Sequence, residues 1–152
     1  MFDDALLEAA SAFHGHLGPW LALGLRAGRR AARVLGAGSF RLRAAVRCPA
    51  RTPYSCFLDG IQFGSGCTLG KGNIRHIAGP RVRVEFTRIA GRRRSMHGSP
   101  GRVEARLRLE LRPEVWTELL LEPARDAGRV AALGRSVWRR PFRRLFFETR
   151  ER

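Results

Sequence analysis

Residues 56–73 read Cys-Phe-Leu-Asp-Gly-Ile-Gln-Phe-Gly-Ser-Gly-Cys-Thr-Leu-Gly-Lys-Gly-Asn, which places two thiols, a carboxylate and an amine among five glycines. Glycines let backbone amides approach an anion closely, so nucleotide-binding loops are the first chemistry to test. Neither pattern fits. A phosphate loop needs Gly where Ser65 stands and Ser or Thr where Gly72 stands, and the dinucleotide fingerprint meets Leu69 where it needs its last glycine. Metal and acid–base chemistry remain. Cys56, Asp59 and Gln62 recur at intervals of three, so a short helix capped by Ser55 puts them on one face, with Cys67 following. The first turn of a helix is where the dipole stabilises a thiolate, the form that ligates metal or attacks an electrophile. Both cysteines equally suit small buried apolar positions.

Other candidates lie further along the chain. His14 and His16 are two residues apart, so they point to opposite sides of an extended loop and diverge by about 200° on a helix. Unless the flanking glycines bend the loop, one ligand with one supporting partner, or a pair of polar loop residues, is the expected arrangement. His76 and His97 lack such context and read as surface histidines. Lys71 is the single lysine among 29 basic residues. An ammonium differs from a guanidinium in size, donor geometry and ability to lose a proton. A compact amine in this segment suits either an anionic ligand or the carbonyls of its own loop.

The elements that must position these groups follow from periodicity. Phe2 to Ala12 reads as a helix with Asp3 and Asp4 in its first turn, and 14–19 as a loop. Pro19 starts a second helix running to about Leu35, ended by Gly36-Ala37-Gly38. Strict alternation predicts strands near 40–47, 81–89 and 102–111, the last two a hairpin joined by an exposed loop from Arg92 to Gly101. Pro113 and Pro123 sit where helices begin, and Ala124 to Leu133 reads as a helix stopped by Gly134. From about residue 135 a basic aromatic extension, Trp138 to Phe147, is too apolar for a disordered arm and is expected to dock on the domain or on a partner protomer.

The 152 residues, 44% hydrophobic and 28% charged, suit one α+β domain over residues 1–152 and exclude two full domains. No apolar run approaches the roughly 18 residues of a membrane span. The acidic start Met1-Phe2-Asp3-Asp4 is unlike a secretory signal, so a cytoplasmic location is expected. Three cysteines without a CxxC pair argue against a disulfide framework or zinc knuckle. The net charge of +16 attracts polyanions. Its arginines spread over nearly every predicted element, however, and no helix-turn-helix or aromatic RNA motif is present, so only non-specific nucleic-acid binding is expected.

Phe13-His14-Gly15-His16-Leu17-Gly18-Pro19, continued by Leu23-Gly24-Leu25-Arg26, together with Cys56 to Gln62 and Gly66 to Asn73, resembles the E-subunit family of formylmethanofuran dehydrogenase. The likeness is firm over residues 10–75 and fades by about 112. It implies an antiparallel, or mixed, sheet flanked by helices, assembled as a homodimer, with the His and Cys motifs converging on a metal site. Many members carry a carboxy-terminal zinc module with paired cysteines. No cysteine follows Cys67 here, so the resemblance covers the core domain.

Spacing and resemblance together nominate a divalent metal, zinc by ligand type, with nickel, copper and iron as alternatives. His16 and Cys56 are the expected direct ligands, His14 and Cys67 the next, and Asp59 orients a ligand or moves protons. Gly66, Thr68, Gly70, Lys71, Gly72 and Asn73 would cradle a small anionic ligand at the rim. Cys56, Asp59 and Lys71 are the catalytic candidates if the protein is an enzyme. The alternative reading is a non-enzymatic Arg-rich nucleic-acid-binding or interaction module.

Overall fold

The computed structural model describes residues 3–36, 40–90, 101–122 and 126–152. The expected loop from Arg92, with His97, lies outside them, as do Ala37, Gly38, Pro123 and Ala124.

Helix α1 spans Asp4–His14, starting later than expected because Asp3 is its cap, accepting the Leu6 amide at 3.1 Å. It also runs two residues further, to His14, where Gly15 reverses the chain at φ 97°. Helix α2, Pro19–Leu35, starts at the proline as expected and is buried through Trp20–Leu25. Then follow strand β1 Leu42–Cys48, helix α3 Cys56–Ser65, strands β2 Ile74–Ala78, β3 Arg83–Ile89 and β4 Val103–Leu111, helices α4 Pro113–Leu121 and α5 Ala127–Arg139, and strand β5 Phe146–Glu151.

The five strands form one mixed α+β sheet in the order β2-β1-β3-β4-β5. Strands β3 and β4 are the expected antiparallel hairpin. Strand β1 begins at Leu42, leaving Phe40 exposed outside the sheet instead of alternating into the core. Strand β2 had no signal of its own. Its five residues alternate poorly, and it is fixed by parallel pairing with β1 after the chain crosses over through α3.

The aromatic tail docks on its own chain. Strand β5 pairs antiparallel with β4, and Arg30 of α2 grips Glu148 with two nitrogens at 2.7 and 3.1 Å. Gly134 does not stop α5. It lies inside the helix, where a Cβ would come within 3.0 Å of Leu17 Cγ and 3.1 Å of the Gly18 carbonyl, so the glycine lets α5 lie against the loop that follows the two histidines.

Strand positions 42, 44, 46 and 48 of β1, 84 and 86 of β3, and 107, 109 and 111 of β4 are buried in the same core as the helices, while the alternate positions face away. The core is closed by backbone contact between α2 and α3. A Cβ on Gly60 would meet Leu21 O, Leu25 N at 2.6 Å and Gly24 Cα at 2.8 Å, and one on Gly64 would meet Leu25 O at 2.6 Å. Two of the glycines that made residues 56–73 look like an anion loop are therefore packing residues.

Candidate metal centre

Helix α3 does begin at Cys56, but Ser55 makes no side-chain cap and sits in helical backbone geometry. Its carboxylate, Asp59, lies one turn on from Cys56 and faces the end of α1. Asp59 Oδ2 is 2.7 Å from His14 Nδ1. The bond fixes the imidazole with Nδ1 toward the carboxylate and turns Nε2 inward, where it is buried without any hydrogen-bond partner. A buried imidazole nitrogen left unpaired is costly unless something else occupies its lone pair.

The two histidines do not diverge as two-residue spacing predicts. Because His14 closes α1 and Gly15 turns the chain in the left-handed region, His16 folds back until the rings are 4.6 Å apart. Ligand atoms of His14, His16 and Cys56 all lie within 4.8 Å of one another. His14 and Cys56 are half-buried and His16 is exposed. A tetrahedral ion with Zn–N and Zn–S bonds of about 2.0 to 2.3 Å needs donors about 3.4 to 3.6 Å apart, so the cluster must tighten from its 4.8 Å limit when it closes on a metal. The residues fit a metal. Two imidazoles and a thiolate form one donor set, and the carboxylate behind His14 is the partner that metal-bound histidines ordinarily keep.

Burial, and then the Asp59 charge, push the Cys56 thiol above its ordinary pKa, against a lowering by a hydrogen bond from its own backbone amide. Desolvation thus opposes the thiolate that the start of a helix favours. A cation bound at the thiol would have to favour the deprotonated form.

Cys67 lies outside this cluster. It is fully buried, its amide donates to Ser65 Oγ at 3.1 Å, and burial raises its thiol against the lowering by the Ser65 hydrogen bond and Lys71. Cys48 is also buried, its thiol pushed up to about 11 by desolvation, and it lies 3.4 Å from Nε2 of the exposed His76 on β2. All three cysteines are free.

Much of the glycine turn at 66–73 is tied to itself. Thr68 N donates to Asn73 Oδ1 at 2.8 Å, Lys71 N to the Thr68 carbonyl at 3.2 Å, and Gly72 N to Leu69 O at 2.9 Å, while Asn73 Nδ2 anchors the turn to Leu42 O at 3.0 Å. Gly66 is the left-handed cap of α3. Gly70 has open space around it, and the half-buried Lys71 holds its ammonium 6.0 Å from the Phe40 ring centroid. A link between this turn and the cluster was not legible in the sequence. Gln62 donates to Asp59 Oδ1 at 3.2 Å and accepts from Leu69 N at 3.0 Å, so one hydrogen-bonded chain joins His14, Asp59, Gln62 and the turn. The three-residue spacing placed Gln62 beside Asp59. Its second partner depends on how α3 ends.

The family described as "FmdE, Molybdenum formylmethanofuran dehydrogenase operon" matches residues 13–144, which include both histidines, all of α3 and the glycine turn. The chain belongs to the FmdE family. The family match extends well past residue 112, where the resemblance in the sequence fades, into the docked carboxy-terminal elements. This FmdE chain is also 34% identical over 79 residues to a protein of Archaeoglobus fulgidus called "Probable S-adenosyl-L-methionine-binding protein", a match covering 47% of this chain and 20% of that protein. No helix among the described residues is long and apolar enough to cross a membrane.

Proposed function

We propose that this FmdE-family protein binds one divalent metal through His14, His16 and Cys56, with zinc the metal that two imidazoles and one thiolate suit best. The observation that carries the reading is the buried, partnerless Nε2 of His14, a residue whose Nδ1 faces Asp59 and which shares a 4.8 Å cluster of ligand atoms with His16 and Cys56. Three protein ligands leave a fourth position for water or an anionic ligand, and a metal there would supply Lewis acidity and a bound water of lowered pKa. Asp59 orients His14 and is the local group able to take a proton. Lys71 and the open side of the turn at Gly70 are the cationic rim for the ligand's charge. The protein works as a homodimer, for which light scattering should report about 34 kDa, twice the 17.0 kDa of the chain.

Elemental analysis of protein purified without an affinity tag is expected to give one zinc per chain in the wild type and none in Cys56→Ala. The circular dichroism of the variant should remain native. A Cys56→Ala protein that keeps stoichiometric metal would overturn the ligand set.

A further inference from the structure

The outward face of the sheet carries its own charge pattern, which the metal centre does not use. The helices that contact the strands pack over the buried positions, and none of the described helices covers the alternate positions, which stay half-buried or exposed. Pairing sets Arg47 of β1 directly opposite Arg83 of β3, a like-charge pair that opposes sheet stability. Arg43 lies on the same face of β1 and Arg75 on the neighbouring β2, opposite Ala45. Among the described residues none of these four guanidiniums has a carboxylate within 4.0 Å.

The carboxylates on this face are already taken. Glu85 holds Arg108 at 2.6 Å, Glu110 holds Arg81 at 3.5 Å, and Glu151 holds Arg106 at 3.6 Å and Arg108. A second copy of the chain laid face to face would therefore bring uncompensated arginines and no spare acid, so self-association is the poorer occupant. Two depressions of about 330 and 360 Å³ adjoin on the face. Arg47, Arg75 and Arg83 line the first, and Arg43, Arg75 and Arg106 the second. Arg43 and Arg47 lie four residues apart on one strand, about 13 Å, and β2 lies two strand spacings, about 10 Å, from β3.

We infer that this face of the sheet, centred on Arg43, Arg47, Arg75 and Arg83, binds the phosphate backbone of single-stranded nucleic acid. A flexible strand can lie in adjoining depressions of this size, whereas a duplex is stiff over about 150 base pairs and would rest on their rims. No aromatic side chain lines either depression except Phe147, at the β5 side of the first. Base stacking is therefore minor, and recognition is by charge without sequence preference.

The test is fluorescence anisotropy with a labelled oligothymidylate across a salt series, using intact protein. Four neutralised phosphates predict a slope of log K against log salt of about −3, and Arg47→Gln with Arg83→Gln should reduce its magnitude by about 1.4 and weaken binding at least tenfold at low salt. The control, Arg135→Gln with Arg144→Gln, removes the same charge from exposed positions outside the sheet strands and should weaken binding by less than threefold. Removing the Arg47–Arg83 opposition should not unfold the sheet, and the exposed Arg75→Gln gives an independent single-site reading. Equal losses in both double variants would reduce the effect to net charge and overturn the proposal. Tighter binding of duplex than of single strand would overturn it as well, as would no binding by the wild type at low salt. Metal content unchanged in every arm keeps this result separate from the fate of the metal reading.

Discussion

Gly60→Ala tests how the fold holds the metal centre. The added methyl would face Leu25 N at 2.6 Å and Gly24 Cα at 2.8 Å, with Leu21 O closer still. These are backbone atoms of α2, so no side chain can swing away, and the approach falls about 1 Å inside the roughly 3.5 Å of van der Waals contact. In an isolated helix the same change would gain about 1 kcal/mol of propensity. Overpacking ordinarily costs about 1 to 3 kcal/mol, and here the whole of α3 must move off α2, which places the cost at or above the upper end. The net expectation is a loss of about 2 kcal/mol, or a Tm lower by about 4 to 8 °C for a chain of this size. Because α3 carries Cys56 and Asp59, while α2 follows directly on His16, the same shift should open the donor triangle and weaken metal binding. Thermal and denaturant unfolding with and without metal provide the assay. Gly70→Ala, whose new methyl meets nothing within 4 Å, is the control and should change stability by no more than about 0.5 kcal/mol. A Gly60→Ala protein as stable as the wild type, or more stable as propensity alone predicts, would refute the view that backbone contact between these helices is required.

Asp59→Asn should weaken metal affinity about 10- to 100-fold without removing a ligand, measurable by competition with a chromophoric chelator. In metal-free native protein the half-buried Cys56 should be the first thiol to react with a disulfide reagent. Cys67, and Cys48 with its pKa near 11, should react only after denaturation, and metal should protect Cys56. The Glu148 carboxyl is held below the usual carboxylate range by its hydrogen bond with Arg30, with Arg150 assisting against desolvation. Its contribution is therefore present above the unfolded pKa of about 4.3 and lost as pH falls through the folded value. After allowing for solvent screening, Glu148→Gln should cost about 0.5 to 1 kcal/mol at neutral pH, and its stability should converge on the wild type as pH falls through the lowered folded pKa in urea titrations.

Local physics made most elements legible before any tertiary contact was known. Proline at 19 and 113, the acids at 3 and 4 and the alternation near 40–47, 81–89 and 102–111 are signals that act within a few residues, so α1, α2, α4 and three strands could be read from them. The cysteine–aspartate spacing on α3 was legible for the same reason. Long-range partners decided the rest. Strand β2 exists because β1 offers it a parallel edge, and β5 because β4 and Arg30 receive it. Gly134 continues a helix where its type suggests a stop, because loop 17–18 leaves no room for a side chain there. The glycines at 60 and 64, chemically equivalent to those of an anion loop, became a helix contact only because glycines 24 and 28 lie across from them. The metal centre depends on both levels. The sequence supplied the donor types, but the reversal at Gly15 and the seating of α1 against α3 brought His14, His16 and Cys56 within 4.8 Å. Two-residue spacing by itself sends side chains apart, and only the tertiary path of the chain brings them back together.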